Sequence, residues 1–212
     1  MLTPFRSGNA LIAWIDILGA SNLSDDKLEE ISSIVSHNSA FASGNSSVIP
    51  LAIENKVNAM LIGDAVCITQ TIDTQQNRNF VATMALKFSA DMFNFGYPNR
   101  GVLVEGSVRC GPSSAYIHGG SYITGQGIIK AYKYERSLDA IGILVSPDLI
   151  NEAKTWSEPW GNKPFQLLKE ENSKFFLTNT EHVQKWQAFV DTDKSGHSYV
   201  TKSKILLKKF LS

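Results

Sequence analysis

Residues 10–21 read ALIAWIDILGAS, an apolar run broken by one ionisable side chain, Asp16. Apolar residues at successive positions over about 9–17 need cover on both faces, so this segment is an interior strand. A carboxylate at its end is costly unless it meets a partner, a metal ion or open water. The chain must build a sheet around this strand and bring something to Asp16.

The other elements follow from period and punctuation. Ser24 is a helix N-cap, with Asp25 and Asp26 at the positive end of the dipole and Leu28, Ile31 and Val35 on one face. Residues 37–49 are polar and rich in Gly and Ser, and read as a loop. KVNAMLIGDAVCIT (56–69) reads as a hairpin turning at Gly63-Asp64. A helix runs from Thr74 to about Phe95, with Phe80, Met84, Phe88, Met92 and Phe95 in register, and Gly96-Tyr97-Pro98 stops it. RGVLVEGSVRCG (100–111) is a strand, and AYIHGG is a short strand or a loop. Gly125-Gln126-Gly127 opens a helix to about Ser137, and AIGILVSPDLI gives a strand and a short helix. The order β-α-β-β-α-β-α-β predicts an α+β, ferredoxin-like sandwich with a mixed sheet and helices on one face. After about residue 155, FQLLKEENSKFFLTNT predicts a hairpin, 180–190 a helix, and TKSKILLKKFLS a final amphipathic helix. These form an extension of the same domain.

Charge and composition exclude several classes. Twenty basic and twenty acidic residues give no net charge, which argues against a nucleic-acid coat or a polybasic membrane binder. No apolar stretch approaches the roughly 20 residues of a membrane helix, and the amino terminus lacks a signal-peptide pattern. Cys67 and Cys110 sit in strand-like segments outside any metal-ligand spacing, which suits reduced thiols in the cytoplasm.

Two aspartates stand at strand ends: Asp16 closes the first strand and Asp64 tips the hairpin. In a ferredoxin-like sheet those strands are neighbours, and both carboxylates reach one edge. Paired carboxylates repel unless a divalent cation lies between them, and Mg²⁺ favours one or two carboxylates completed by substrate phosphates. Two such ions can activate a hydroxyl and neutralise a departing phosphate.

WIDILGAS, LIGDAV, RGVLVEGSV and TGQGIIKAYKYERS resemble, in order, the signature blocks of the class III nucleotidyl cyclases, over about residues 9–150. The resemblance implies a homodimer with active sites at the subunit interface, and a 1–155 catalytic domain followed by a 156–212 extension. It implies that Asp16 and Asp64 bind two Mg²⁺ or Mn²⁺ ions, assisted by the Ile17 carbonyl. The ribose 3′-hydroxyl of a nucleoside triphosphate then attacks the α-phosphate and expels pyrophosphate. By the same resemblance, Met60 and Tyr122 occupy the two base-reading positions, Ile129 the ribose-orienting one, and Lys133 that of the transition-state arginine. Met60, Tyr122, Ile129 and Lys133 depart from the purine-cyclase pattern, since Ile cannot hydrogen-bond ribose and Lys offers a point charge in place of a fork.

Small stand-alone bacterial cyclases that make cyclic CMP or cyclic UMP in anti-phage (Pycsar) defence look more similar. They share the R-G-x-x-x-x-G strand and a helix reading A-Y-x-x-E, here Ala131 to Glu135. That likeness implies CTP or UTP as substrate and a downstream cyclic-nucleotide effector. It makes Arg100 a base or phosphate contact, and Lys130 and Lys133 triphosphate contacts. The rival reading is a cyclase-like nucleotide-binding or dimerisation module without catalysis. A palm-type polymerase is disfavoured, because GDAV lacks an adjacent acidic pair. DTDKSGHSYVTK (191–202) imitates half of a calcium loop, but Lys202 stands where the bidentate Glu belongs.

Overall fold

A computed structural model describes residues 6–42, 58–69, 74–112, 121–159, 163–170 and 173–211. The elements, in order, are β1 (Arg6–Ile17), α1 (Asp25–Ala42), β2 (Asn58–Ile62), β3 (Ala65–Thr69), α2 (Gln75–Asn94) and β4 (Asn99–Pro112). There follow β5 (Ser121–Thr124), α3 (Gln126–Glu135), β6 (Gly142–Val145), α4 (Ile150–Ala153), β7 (Gln166–Lys169), β8 (Phe175–Thr178), α5 (Thr180–Thr192) and α6 (Ser198–Leu211).

One mixed sheet runs β2-β3-β1-β4-β6-β8-β7, with β5 on the far end of β4. All its pairings are antiparallel except β4 with β6. The strand at 9–17 is interior, as its apolar run requires, and sits between β3 and β4. The β7–β8 hairpin joins the same sheet through β6, so the last third of the chain continues the sheet.

Alternation along β1 sends Leu11, Ala13, Ile15 and Ile17 to one face, packed with Ile31 and Ile34 of α1 and Phe80, Met84, Phe88 and Met92 of α2. Ala10, Ile12 and Trp14 face the other way, onto Ala131 of α3, Trp186 and Phe189 of α5 and Leu206 and Leu207 of α6. Helices therefore cover both faces, and the expectation of one covered face is corrected. The reason lies in β1 itself, which has no polar side to leave in water. Each fully buried Leu or Ile of this strand contributes about 1.5–3 kcal/mol.

Local signals account for the element ends. The Thr74 side chain accepts the Asn77 N–H and starts α2, and Gly96, at φ +82°, turns the chain after it. Phe95, expected in the apolar register, lies past the helix end and is 49% exposed. In α1 the buried face is Ile31 with Ile34, while Leu28 is exposed, and the helix runs to Ala42 through residues expected to be loop. The Val35 side chain and residues 43–57 lie outside those described, as does AYIHGG. The next described strand after β4 is SYIT, β5.

A buried polar chain ties α5 to the core. Ser89 Oγ donates to Asn99 Oδ1 at 2.6 Å, and Asn99 Nδ2 donates to the Ser89 and Tyr97 carbonyls. Ser89 must then accept from His182 Nε2, 3.0 Å away, which leaves Nδ1 facing Thr178 Oγ1 at 2.9 Å. His182 is thus neutral with its proton on Nε2, and burial lowers its pKa to about 3.

Candidate active site

The two sequence-marked carboxylates meet at one end of the sheet. Asp16 stands opposite Ala65 of β3 and opposite Arg100 of β4. The β2–β3 turn is two residues long, Gly63 and Asp64, with Gly63 at φ +63°, the position a II′ hairpin gives to glycine. The Asp64 carbonyl accepts the Ile17 N–H at 3.0 Å, which pins the turn to the end of β1. Asp64 is exposed and Asp16 half-buried.

Asp16 shares its face of β1 with Ile12 and Trp14, the side covered by α3. That places it with Arg100 and with Glu135, the last residue of α3. Arg100 Nε donates to Glu135 Oε1 at 2.5 Å, Nη1 donates to the Leu138 carbonyl at 3.0 Å, and Nη2 lies 3.7 Å from Asp16 Oδ2. The last is an ion pair too long for a hydrogen bond. Burial, then the charges of Glu135 and Asp64, raise the Asp16 pKa to about 6 against the opposing pull of Arg100. Three carboxylates and one guanidinium leave the cleft two charges negative. Among the described residues no three acidic, His or Cys side chains group closely enough to hold a metal ion by themselves. A divalent cation here would rest on Asp16, Asp64 and the Ile17 carbonyl, hard oxygen donors of the kind Mg²⁺ or Mn²⁺ accepts when substrate phosphates complete the shell.

Among the described residues, the other sequence candidates make no hydrogen bond or ion pair with Asp16, Asp64 or Arg100. Lys133 is exposed on α3, two residues before Glu135, and makes no ion pair among the described residues. Ile129 is 48% exposed on the same helix. Lys130 Nζ binds Asp148 Oδ2 at 2.7 Å and the Glu105 carbonyl at 3.3 Å, five positions along β4 from Arg100. Met60 pairs with Cys67 in the β2–β3 ladder, and its side chain lies outside those described. Tyr122, likewise known only by its backbone, pairs with Gly111. Gly111 is eleven positions along β4 from Arg100, roughly 35 Å of extended strand. In the decoy loop, Asp193 accepts the Ser195 N–H and hydroxyl, and Lys202 pairs with Asp139.

Glu135 carried no role in the sequence, yet a signal for it was present. Gly127, Ala131 and Glu135 are the three buried residues of α3, at i, i+4 and i+8. An acid in line with two small buried residues must find a cation inside.

No protein-family model matches the chain, and no curated protein matches it. Among solved structures, it is similar to the adenylyl cyclase CyaB from P. aeruginosa, with a TM-score of 0.59 and 12% identity over 84% of this chain and 97% of that one. It is similar to a bacterial light-regulated adenylyl cyclase, with a TM-score of 0.55 and 12% identity over 97% of this chain and 58% of that one. A dimeric guanylyl cyclase domain of the RhoGC fusion protein from the aquatic fungus Blastocladiella emersonii gives a TM-score of 0.50 and 15% identity, over 82% of this chain and 95% of that one. At these identities the likeness is one of fold. The chain has the α+β fold of adenylyl and guanylyl cyclase domains. Among the described residues, no helix is long and apolar enough to cross a membrane.

Proposed function

We propose that the protein is a nucleotidyl cyclase that converts a nucleoside triphosphate to its 3′,5′-cyclic monophosphate and pyrophosphate. The observation that carries this reading is the convergence of Asp16 and Asp64 at one sheet edge, in a fold shared with cyclases. Both carboxylates, with the Ile17 carbonyl, hold the divalent cations. Those ions supply a lowered pKa for the attacking 3′-hydroxyl and positive charge for the phosphates. Arg100 turns its Nη2 edge, 3.7 Å from Asp16 Oδ2, into the same cleft, where it meets phosphate oxygens. Lys133 is the second cationic contact, and Lys130, already committed to Asp148, has a smaller part.

The active unit is a homodimer. Tyr122 and the Asp16 cleft lie too far apart in one chain to touch the same nucleotide, which supports a site completed by a second copy. Met60 and Tyr122 at the base-reading positions, with the likeness to Pycsar cyclases, favour CTP or UTP and a cytoplasmic anti-phage signal read by an effector.

The test incubates the protein with Mn²⁺ or Mg²⁺ and each of ATP, GTP, CTP and UTP, with products read by mass spectrometry. The doubly substituted Asp16→Ala, Asp64→Ala protein runs alongside. One cyclic mononucleotide from the wild type and none from the variant is the expected result. Ile129, an exposed aliphatic residue at the ribose-orienting position, favours a second reading, a non-catalytic nucleotide-binding module. Stabilisation by a nucleotide that stays unconsumed would select it.

A further inference from the structure

Arg100 is held by two of its three guanidinium nitrogens. Nε goes to Glu135 Oε1 at 2.5 Å and Nη1 to the Leu138 carbonyl at 3.0 Å, while Nη2 makes no hydrogen bond among the described residues. Nη2 instead faces the carboxylate cleft, 3.7 Å from Asp16. Glu135 is 3% exposed and Arg100 is partly exposed, so the acid anchors and the cation reaches out. A guanidinium is a rigid planar fork, so fixing two nitrogens fixes the direction of the third. A free arginine side chain would lose its rotamer entropy on meeting an anionic ligand, and this one has already lost it.

We propose that Glu135 is the positioning residue of the site, which presents the Nη2 edge of Arg100 to the phosphate oxygens of a bound nucleotide. The proposal rests on the cyclase reading, since it names the work Arg100 does there. Glu135 does not touch the nucleotide and acts only through Arg100. It also links the site to α3. Glu135 closes that helix and Leu138 follows three residues later, so a shift of α3 on the sheet re-aims Arg100.

A double-mutant cycle tests this, with Glu135→Gln, Arg100→Ala and the pair compared with wild type. Glu135→Gln keeps the shape and one acceptor but removes the charge. Expected is a rise of about tenfold in KM for the nucleotide with a smaller fall in kcat, and no further change from Glu135→Gln once Arg100 is alanine. A merely structural role would lower the folded fraction and leave KM alone. Equal effects of Glu135→Gln in both backgrounds overturn the proposal while the cyclase stands. The ¹⁵Nε–H resonance of Arg100, assigned by its loss in Arg100→Lys, checks the geometry without catalysis. It should be protected from solvent exchange in wild type and lose that protection in Glu135→Gln, and an unprotected wild-type signal overturns the proposal. A wild type that neither cyclises nor binds any of the four triphosphates overturns the cyclase reading and this inference together.

Discussion

Arg100 stands across the β1–β4 ladder from Asp16, yet its Nη2 stops 3.7 Å from Oδ2 while Nε is committed to Glu135. The guanidinium therefore offsets the Asp16 charge only in part. Burial and the neighbouring carboxylates win, and the Asp16 pKa stays up at about 6. A carboxylate in that state destabilises the folded chain at neutral pH, the usual mark of a group retained for what it binds.

Replacing Asp16 should stabilise the protein while removing its function. In the unfolded chain the carboxyl titrates near 3.8, and in the folded chain near 6. Between those values the folded state holds the extra proton, so this group's contribution to stability falls as pH rises through the window. Above pH 6 the full cost applies, at most about 3 kcal/mol. Asp16→Asn should therefore raise the stability measured by urea unfolding at pH 7.5 by about 1–3 kcal/mol. The gain should shrink toward pH 4. A variant less stable than wild type at pH 7.5 would show that the pair with Arg100 holds the fold.

Divalent cations should relieve the same repulsion. Mn²⁺ at a hundred times its dissociation constant should stabilise the wild type by about 2.7 kcal/mol. Protons compete for Asp16, so the shift should be larger at pH 7.5 than at pH 5.5. Thermal unfolding with and without Mn²⁺ measures both. Asp16→Asn and Asp64→Asn should each remove most of the shift, and an undiminished shift in either places the ion elsewhere.

The carboxylate pair was legible in the sequence because both aspartates end strongly apolar strands and the hairpin turn is spelled out by Gly63-Asp64. The apolar register of α2 was legible for the same local reason. Arg100's partners were not, because strand register and the seating of α3 are set by contacts over 35 and more positions. The burial of Glu135 follows from that seating. The cover on both faces of β1 could be read in its unbroken apolar run. The helices that supply it include α5 and α6, which lie in a part of the chain the family resemblance does not reach.

The seating of α3 rests on two glycines. A Cβ on Gly106 would stand 2.5 Å from the Gly127 Cα, and one on Gly127 would stand 2.3 Å from Ile12 Cδ1. Backbone cannot yield as a flexible side chain can. Gly106→Ala should lift the start of α3 from the sheet and cost about 1–3 kcal/mol in chemical denaturation. Because Glu135 ends that helix, nucleotide affinity should fall with stability. Unchanged affinity in the folded fraction would show that the far end of α3 holds Arg100 by itself.

His182 should make the fold acid-sensitive. Its imidazole is neutral in the folded state, with a pKa lowered to about 3 by burial from an ordinary 6.5. Between those values the unfolded chain binds a proton that the folded chain refuses. Stability from this group is complete above pH 6.5 and is lost as pH falls through the window, about 2 kcal/mol by pH 5. Asp16 works in the opposite sense below pH 6, so the measurement belongs in the Asp16→Asn background. There, urea unfolding at pH 7 and pH 5 should differ by about 2 kcal/mol more with His182 than with His182→Gln. Glutamine can still donate to Ser89 and accept from Thr178, but it does not titrate. Equal pH dependence in the two proteins would mean that the folded chain takes up the proton, by opening α5 away from Ser89 and Asn99.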